Sequence, residues 1–347
     1  MNIDKLNFRK LYAFGKKLPI DLSLSENPLG CSPKVSVILK SLNQSDFFDY
    51  PDPDSLELRK EIAKQCQLDI ETIFVANGSE AIIKSLPQIL IRRKDEVVIP
   101  MVTFPMFEIA SSLAGNKVVL SKMMKDFDID LFDIKNKLKN TTGLIFLCNP
   151  NNPTGKVLPN KDILGLVKIT KALVVVDEAN IEFGGESVIE ATKQFDNLVV
   201  LRTFSKGFGL AGFRIGFCVA NKAIIEELKQ SSQPFPVSSI AQKAAFVALQ
   251  DRDFIKRTKL FMARERDFLT RKLLKRGFRV VKSEANNLLV EIGISSNGLM
   301  DKLSERGVSV VNGASFNGLG DRFIRVSPRL RQVNEQFIKV IDEIIRQ

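Results

Sequence analysis

Apolar residues in the first two thirds of the chain form short runs, separated by stretches whose spacing suits helices. The runs at 143–148 and 173–177 are continuous rather than alternating, which is typical of parallel strands buried on both faces. The pattern predicts an α/β fold with a mostly parallel seven-stranded sheet that helices cover on both sides. The seven predicted strands are 73–76, 96–99, 117–120, 143–148, 173–177, 198–202 and 215–220.

After Pro234 and Pro236 the pattern changes to a long helix followed by shorter strands. These strands are predicted at 287–292, 307–311 and 323–327. We therefore expect a large domain and a smaller α+β domain, since 347 residues exceed the size of a single core. The predicted division is 1–30 for an N-terminal arm and small-domain segment, 31–236 for the large domain and 237–347 for the small domain. The polar, basic arm, residues 1–17, is expected to cross onto a partner or the small domain.

Composition favours a globular protein, with 44% hydrophobic and 26% charged residues and no 18-residue apolar stretch. Residues 1–20 lack the apolar segment and cleavage site of a secretory signal. We therefore expect a cytoplasmic protein with reduced thiols and no membrane partner. The spacing of the cysteines predicts no metal site. They are Cys31, Cys66, Cys148 and Cys218.

Positive charge is in excess, with 51 Lys and Arg against 40 Asp and Glu, and it is concentrated between residues 252 and 282. Nucleic acid or an acidic membrane surface can attract such a stretch. The solvated face of one long helix is the favoured interpretation, because no recognised nucleic-acid motif accompanies the charges. We therefore expect no nucleic-acid partner. The buried side of this helix is predicted to be Phe254, Leu260, Phe261, Phe268, Leu269 and Leu273.

The chain contains no histidine. Ser-His-Asp triads, Cys-His pairs, histidine zinc ligands and histidine acid/base catalysis are therefore excluded. Any proton transfer at a reactive centre must use another side chain.

Lys206 lies in the segment 203–216, Thr-Phe-Ser-Lys-Gly-Phe-Gly-Leu-Ala-Gly-Phe-Arg-Ile-Gly. A lysine becomes a useful nucleophile when it is desolvated or placed beside another cation. The glycines allow backbone to approach a bulky ligand closely, and Ser205 with Arg214 can hold a dianionic phosphate. The setting favours a Schiff-base lysine. The alternative is a solvated lysine on a glycine-rich surface turn.

Asp177 ends the apolar run at 173–177, and ligands of open α/β sheets bind outside the carboxyl ends of the strands. A carboxylate there can keep a pyridine nitrogen protonated, although it can also cap the next element. Asn152 lies in the turn 149–155, Asn-Pro-Asn-Asn-Pro-Thr-Gly, after another predicted strand. Its amide can donate to a phenolate oxygen of the same ring, although Asn and Pro are common in ordinary turns.

With these three segments the chain resembles the fold-type I pyridoxal 5′-phosphate enzymes of the aspartate aminotransferase superfamily, from about residue 25 to residue 328. The resemblance implies pyridoxal 5′-phosphate as the cofactor and Lys206 as its covalent anchor and proton carrier. It also implies Asp177 on the ring nitrogen and Asn152 on the phenolic oxygen. A helix that begins in 77–80 is expected to bind the phosphate with its free N–H groups. The implied contacts at the phosphate end are Gly78, Ser79, Glu80, Thr203, Ser205 and Arg214.

Within the superfamily, the segments 25–30 and 50–55 resemble the histidinol-phosphate aminotransferases and the related threonine-phosphate decarboxylases. The resemblance implies a homodimer with shared active sites, in which Tyr50 reaches the cofactor phosphate of the neighbouring subunit. It implies that Phe104 stacks on the pyridine ring, although a core phenylalanine is an equal alternative. It further implies substrate contacts by Asn27 and by Arg325. The alternative interpretation of Arg325 is a solvated arginine on a strand face.

Two positions depart from the family pattern. Asn180, which we retain as a cofactor contact, stands where a tyrosine is usual, and Val311 with Asn312 stands where a second substrate arginine is expected. The predicted function is a pyridoxal-phosphate-dependent aminotransferase that uses an amino acid or amino-alcohol phosphate and a 2-oxo acid. The alternatives are a phospho-amino-acid decarboxylase and a non-enzymatic regulator that binds the cofactor. The regulator is disfavoured because no DNA-binding module fits before residue 25.

Overall fold

The computed structural model describes residues 17–293 and 296–346, so nearly all of the predicted arm over residues 1–17 lies outside the described residues. The strands are β1 (Ile20–Asp21), β2 (Ile73–Ala76), β3 (Glu96–Pro100), β4 (Lys117–Ser121), β5 (Thr142–Cys148), β6 (Leu173–Asp177), β7 (Leu198–Thr203), β8 (Gly216–Val219), β9 (Arg279–Val280), β10 (Leu288–Glu291), β11 (Val308–Ser309), β12 (Val311–Asn312) and β13 (Phe323–Val326). The α-helices are α1 (Pro33–Lys40), α2 (Ser45–Phe48), α3 (Leu56–Cys66), α4 (Ser79–Ile89), α5 (Met106–Leu113), α6 (Leu131–Lys137), α7 (Asn160–Ile169), α8 (Lys222–Ser231), α9 (Ser239–Leu249), α10 (Arg252–Leu274), α11 (Ser296–Glu305) and α12 (Arg331–Ile345).

The large sheet has seven strands in the order β2-β8-β7-β6-β5-β3-β4. Strand β8 is antiparallel to both of its neighbours, and the other pairings are parallel. The predicted α/β fold with a mostly parallel seven-stranded sheet is therefore confirmed.

The continuous apolar runs arise because both faces of this sheet are covered. Successive side chains of a strand point to opposite faces, so Val174 and Val176 of β6 lie in one apolar core and Val175 lies in the other. Helices α1, α3, α6, α7 and α9 contribute to the first core, and α4, α5 and α8 contribute to the second. Because both faces are buried, polar side chains are favoured mainly at the strand ends. Ligands of open α/β sheets bind outside the carboxyl ends of the strands.

A second, antiparallel sheet has the order β12-β13-β10-β9 and packs with α10, α11 and α12 around its own apolar core. The N-terminal strand β1 joins this part of the chain by pairing with β11. The single strand predicted at 307–311 is wrong. Two short strands replace it because β11 pairs with β1 while β12 pairs with β13, so the chain changes sheet at Val310.

The single long helix predicted after residue 236 is two helices, because the Asp251 side chain accepts the N–H of Phe254 and caps a new helix start. Helix α9 packs into the core of the large sheet. The division at residue 236 stays a prediction, and this packing favours a boundary between α9 and α10. In the basic helix α10 the predicted burial of Leu260 is wrong, since its side chain is 60% exposed and lies on the charged face. Of the described helices, none combines the length and the apolar character needed to cross a membrane.

Candidate active site

A cavity of about 700 Å³ lies at the carboxyl ends of the central strands. It is lined by Asn152 from the loop after β5, Asp177 at the end of β6 and Lys206 from the loop after β7. Parallel strands end at the same edge of a sheet, which is why three residues distant in sequence meet there. Other predicted site residues that line it are Ser79, Glu80, Phe104, Asn180, Thr203, Ser205, Arg214 and Arg325.

Lys206 is held by a tight loop. Gly209 donates its N–H to the Lys206 carbonyl at 3.0 Å, and it adopts a φ of +72°. A Cβ on Gly209 would lie 1.9 Å from the carbonyl oxygen of Gly30, so only glycine fits. Burial, followed by the nearby guanidinium of Arg325, lowers the pKa of Lys206 to about 8. Roughly a tenth to a fifth of the amine is therefore neutral near physiological pH, far more than for an ordinary lysine, and is available as a nucleophile or base.

Asp177 is 3% exposed, and its Oδ1 accepts the N–H of Ala179 at 3.0 Å. Burial raises the pKa of the Asp177 carboxyl to about 7, although the Ala179 N–H opposes this shift. Removing such a group from water is unfavourable unless a positive partner is present. A protonated ring nitrogen in the cavity would be such a partner.

The anion-binding end of the cavity is formed by the start of α4 and by Arg214. Gly78 precedes α4 with a φ of +80°, and among the described residues no side chain caps the first turn. A Cβ built on Gly78 would lie 3.1 Å from Nη2 of Arg214, so the arginine lies against the helix start. Nη1 of Arg214 donates to Ser205 Oγ at 3.4 Å. Uncapped N–H groups, a hydroxyl and a guanidinium are suited to a phosphate.

Arg214 itself has a φ of +52°, which is uncommon for a residue other than glycine. It forms the end of a short turn at residues 211–213, where its Nη1 also donates to the Ala211 carbonyl at 3.2 Å. Backbone of this kind is often found at functional sites. The arginine is exposed, so this end of the cavity is open to solvent in this chain.

Arg325 lines the same cavity from β13 and is 2% exposed. Nη1 donates to Oδ1 of Asn152 at 2.9 Å, and the guanidinium carbon is 5.7 Å from the ring centre of Phe316. The interpretation as a solvated strand arginine does not hold for this buried side chain. Val311, at the position of the expected second arginine, is directly opposite Arg325 in the register of β12 and β13.

Phe104 and Asn180 both line the cavity and differ in their contacts with the rest of the chain. Phe104 lines the cavity and also packs edge-on against Phe107, with ring centres 5.7 Å apart, and its stacking on a cofactor ring stays a prediction. Asn180 is 5% exposed, and its Oδ1 is buried without a hydrogen-bond partner among the described residues. Its short side chain occupies the position where the family usually has a tyrosine.

Three predicted contacts lie outside the cavity lining. Gly78 acts through its backbone beside Arg214. Asn27 is buried, and its Nδ2 donates to the Gly207 carbonyl at 2.8 Å and to Thr258 Oγ1 at 3.2 Å, so its amide is bonded to the lysine loop and to α10. Its contact with a substrate stays a prediction. Tyr50 is 81% exposed and stacks on Phe235, with ring centres 4.5 Å apart. It is on the surface of its own chain.

Two asparagines that line the cavity just before β10 were not predicted from the sequence. Asn286 Nδ2 donates to the Ser25 carbonyl at 2.8 Å, and Asn287 Nδ2 donates to the Pro153 carbonyl. Ser25 also lines the cavity. These bonds connect segments that are more than a hundred residues apart, so local pattern cannot indicate them.

The residues present fit pyridoxal 5′-phosphate. The buried Asp177 carboxyl suits a basic ring nitrogen, the Arg214 end suits a phosphate and the Lys206 amine suits an aldehyde. The fold and this cavity together define a class of α/β enzymes that hold a cofactor at the carboxyl ends of a parallel sheet.

Comparisons with known proteins agree with this class. A family model described as "Aminotransferase class I and II" matches residues 18–341. The chain is 37% identical to the histidinol-phosphate aminotransferase of Methanocaldococcus jannaschii over 94% of this chain and 89% of the relative. The chain therefore belongs to the class I and II aminotransferase family and is an enzyme. This confirms the prediction of an enzyme over a non-enzymatic regulator.

Solved structures share the fold. Histidinol-phosphate aminotransferase from Sinorhizobium meliloti, in complex with pyridoxal-5′-phosphate, has a TM-score of 0.89 and 24% identity, covering 96% of this chain and 92% of that one. L-threonine-O-3-phosphate decarboxylase from Porphyromonas gingivalis has a TM-score of 0.83 and 25% identity, covering 94% of this chain and 99% of that one. Both families named by the sequence resemblance are thus represented among the structural neighbours.

Proposed function

We propose that this chain is a pyridoxal-phosphate-dependent aminotransferase that acts on histidinol phosphate or a similar amino-alcohol phosphate, with a 2-oxo acid as the amino acceptor. The observation that carries the proposal is the single cavity in which Lys206 has a lowered pKa and Asp177 a raised one. Opposite shifts of an acid and a base in one cleft are typical of catalytic groups. Its 37% identity to a histidinol-phosphate aminotransferase supports the substrate class.

Three parts of the cavity would hold the cofactor. Ser79, Ser205 and Arg214 would bind its phosphate. Asp177 would pair with the ring nitrogen, and the Nδ2 of Asn152 would donate to the phenolic oxygen. When bound, the cofactor supplies an aldehyde that condenses with amines and a ring that accepts electrons from the substrate's α-carbon.

The proton transfer falls to Lys206. Its Nζ, as a free amine, would accept the proton from the substrate's α-carbon as a base and would later donate that proton as an acid. A pKa of about 8 suits both steps, because the amine can be neutral or charged near physiological pH. The chain has no histidine to share this role.

Arg325 would bind the anionic group of the substrate. A planar guanidinium forms paired hydrogen bonds with a carboxylate or phosphate, and burial strengthens that interaction by excluding water. The cavity around it is lined by the neutral side chains of Asn286, Asn287 and Ser25. These amides and the hydroxyl can bind uncharged polar groups of the same substrate.

We further propose that the active enzyme is a homodimer. Exposed aromatic side chains are clustered near α2, namely Phe47, Phe48 and Tyr50, and Phe235 stacks on Tyr50. Exposed apolar groups in such a cluster favour a protein interface. The open phosphate end of the cavity at Arg214 is the region that a partner's Tyr50 would close. The predicted cytoplasmic location is retained as part of this proposal.

A second candidate reaction is decarboxylation of a phospho-amino acid. The observation that favours it is the structural likeness to a threonine-phosphate decarboxylase. Which bond breaks depends on which one the site aligns with the π-system of the ring.

The test is direct. Purified protein is loaded with pyridoxal 5′-phosphate and incubated with histidinol phosphate and 2-oxoglutarate, and glutamate is measured. A parallel reaction contains threonine phosphate, and carbon dioxide is measured. Glutamate formation that depends on histidinol phosphate supports the proposal. Carbon dioxide without glutamate replaces it with the second candidate. A third reaction contains a plain amino acid and 2-oxoglutarate, and glutamate formed in this reaction alone removes the phosphorylated substrate from the proposal.

A further inference from the structure

The segments that carry Asp177 and Lys206 are joined beneath the cavity by a cluster of charged side chains. Arg202 lies on β7, four positions before Lys206, and Glu178 directly follows Asp177. The Arg202 guanidinium lies 3.3 Å from Glu178 Oε2 through Nη1 and 2.7 Å from Glu182 Oε1 through Nη2. Arg202 therefore links the strand that leads to Lys206 with the segment that follows Asp177.

Glu178 is fixed by more than this arginine. Its Oε1 accepts the N–H of Val188 at 2.7 Å, and its Oε2 accepts the hydroxyl of Ser187 at 2.6 Å. Burial raises the pKa of Glu178 and of Glu182, and the positive charge of Arg202 opposes that shift. Loss of Arg202 would leave two buried carboxyls without their shared cation.

Glu182 supports the lysine loop by direct packing. A Cβ built on Gly207 would lie 2.5 Å from the Cβ and 2.7 Å from the Cγ of Glu182, so the glycine backbone rests on this side chain. On its other side, Gly207 accepts the Asn27 amide through its carbonyl at 2.8 Å. Gly207 directly follows Lys206, and its placement therefore decides where the lysine backbone lies.

We propose that Arg202, Glu178 and Glu182 are positioning residues that hold the Asp177 and Lys206 segments at a fixed separation. The proposal rests on the proposed function, in which both residues act on one bound ring. None of the three lines the cavity, so they act through their neighbours. A displacement of about 1 Å at reacting groups can lower a rate about 100-fold without loss of binding, so an alignment role predicts a change in kcat more than in KM.

The chain offers a matched control. Arg276 forms a two-point ion pair with Asp342 in the small-domain region, and its side chain is 19% exposed, against 17% for Arg202. Replacing either arginine by lysine keeps the charge but removes the planar guanidinium that donates two hydrogen bonds at once. Asp342 is 37% exposed, against 0% for Glu178 and 4% for Glu182, so Arg276→Lys should lose less thermal stability than Arg202→Lys. Only Arg202→Lys changes the geometry between Asp177 and Lys206.

Two readouts test the proposal. In the loaded enzyme, Arg202→Lys should lower kcat about 10- to 100-fold with KM for the amino donor changed less than about threefold, and Arg276→Lys should leave both constants near wild type. In the apoprotein, hydrogen exchange measured by mass spectrometry should accelerate over residues 203–210 in Arg202→Lys and not in Arg276→Lys. Equal behaviour of the two variants in both measurements would overturn the proposal.

A second pair of variants covers failure of Arg202→Lys to fold. Glu182→Gln keeps the methylene contact with Gly207 and one acceptor for Arg202. It should therefore retain most of the wild-type kcat, whereas Glu182→Ala should not. Equal losses in the two variants would contradict the packing role. If wild-type protein turns over no amino donor, the proposed function fails, whereas the hydrogen-exchange comparison still decides whether the cluster positions the loop.

Discussion

Arg325 donates a hydrogen bond through Nη1 to Oδ1 of Asn152, 2.9 Å away, and so joins the small antiparallel sheet to the loop that follows β5. An arginine can only donate, so the atom of Asn152 that faces it must be the oxygen. The Nδ2 of Asn152 is thereby oriented as a donor on the other side of the amide. One residue pair thus connects the proposed substrate end of the cavity with the proposed cofactor end.

Arg325→Leu should weaken substrate binding by about 2 to 5 kcal/mol, because the substrate anion loses its buried partner. The variant should also lower kcat, since Asn152 loses the bond that orients its amide. Steady-state kinetics with the amino donor measures both effects. Arg322→Leu is the control, because that arginine is exposed near the same strand. Similar KM values in the two variants would show that Arg325 does not bind the substrate anion.

The pKa of about 8 for Lys206 predicts how cofactor binding depends on pH. Only the neutral amine condenses with an aldehyde, so the rate at which apoprotein gains the visible band of bound cofactor should rise with pH and level off above about 8. Arg325→Leu removes a nearby positive charge, which should move the midpoint upward. Lys206→Ala should give no such band. A midpoint near the ordinary lysine value of 10.5 would mean that the amine is solvated.

Asp177→Asn should lower turnover far more than cofactor occupancy. The amide keeps the shape of the carboxyl and the acceptor for the Ala179 N–H, but it cannot keep a ring nitrogen protonated. Turnover and bound cofactor are measured on the same samples. Full occupancy with wild-type turnover would show that Asp177 does not control the charge of the ring.

The same substitution has a pH-dependent effect on the apoprotein. The folded pKa of Asp177, about 7, is above its unfolded value of 3.8, so its contribution to stability is lost as pH rises through about 7. Between pH 5 and pH 8 the stability of Asp177→Asn relative to wild type should therefore increase, by about 3 kcal/mol at 1.4 kcal/mol per unit of pKa. Urea unfolding at the two pH values measures this change. If the stability difference between Asp177→Asn and wild type does not depend on pH, the Asp177 carboxyl is exposed to solvent in the folded apoprotein.

The sequence predicted the large sheet and the central site because both depend on local pattern. The buried strand at 173–177 indicated where Asp177 would lie, and the glycines around Lys206 indicated a tight loop. The bond between Asn27 and Gly207 and the division of the strand at 307–311 were not predicted, for a different reason. Their environments are set by pairing with residues far along the chain, such as Gly207 and Ile20. The local pattern of apolar and polar residues carries no information about such partners. The domain division and the site contacts of the cofactor stay predictions.

Val311→Arg tests the departure beside Arg325. Val311 is 1% exposed and packs in an apolar cluster with Leu289 and Phe316. A second guanidinium there would be buried opposite the first, so the variant should lose about 3 to 5 kcal/mol of unfolding free energy. Val311→Met, which adds length without charge, should cost less than about 1.5 kcal/mol. If Val311→Arg is instead as stable as Val311→Met and binds the phosphorylated substrate more tightly, the cavity has room for a second anion-binding arginine.

A mixing experiment tests whether Tyr50 serves the neighbouring subunit. Lys206→Ala and Tyr50→Ala should each have little activity alone, because one lacks the reactive amine and the other the proposed phosphate contact. In a hybrid dimer with shared sites, one site combines Lys206 of the Tyr50→Ala subunit with Tyr50 of the other, and is intact. Mixing equal amounts under exchanging conditions should then recover about a quarter of wild-type turnover, since half of the dimers are hybrids with one good site. If Tyr50 acts within its own chain, a hybrid has no intact site, and the mixture will show no more activity than the two variants measured separately.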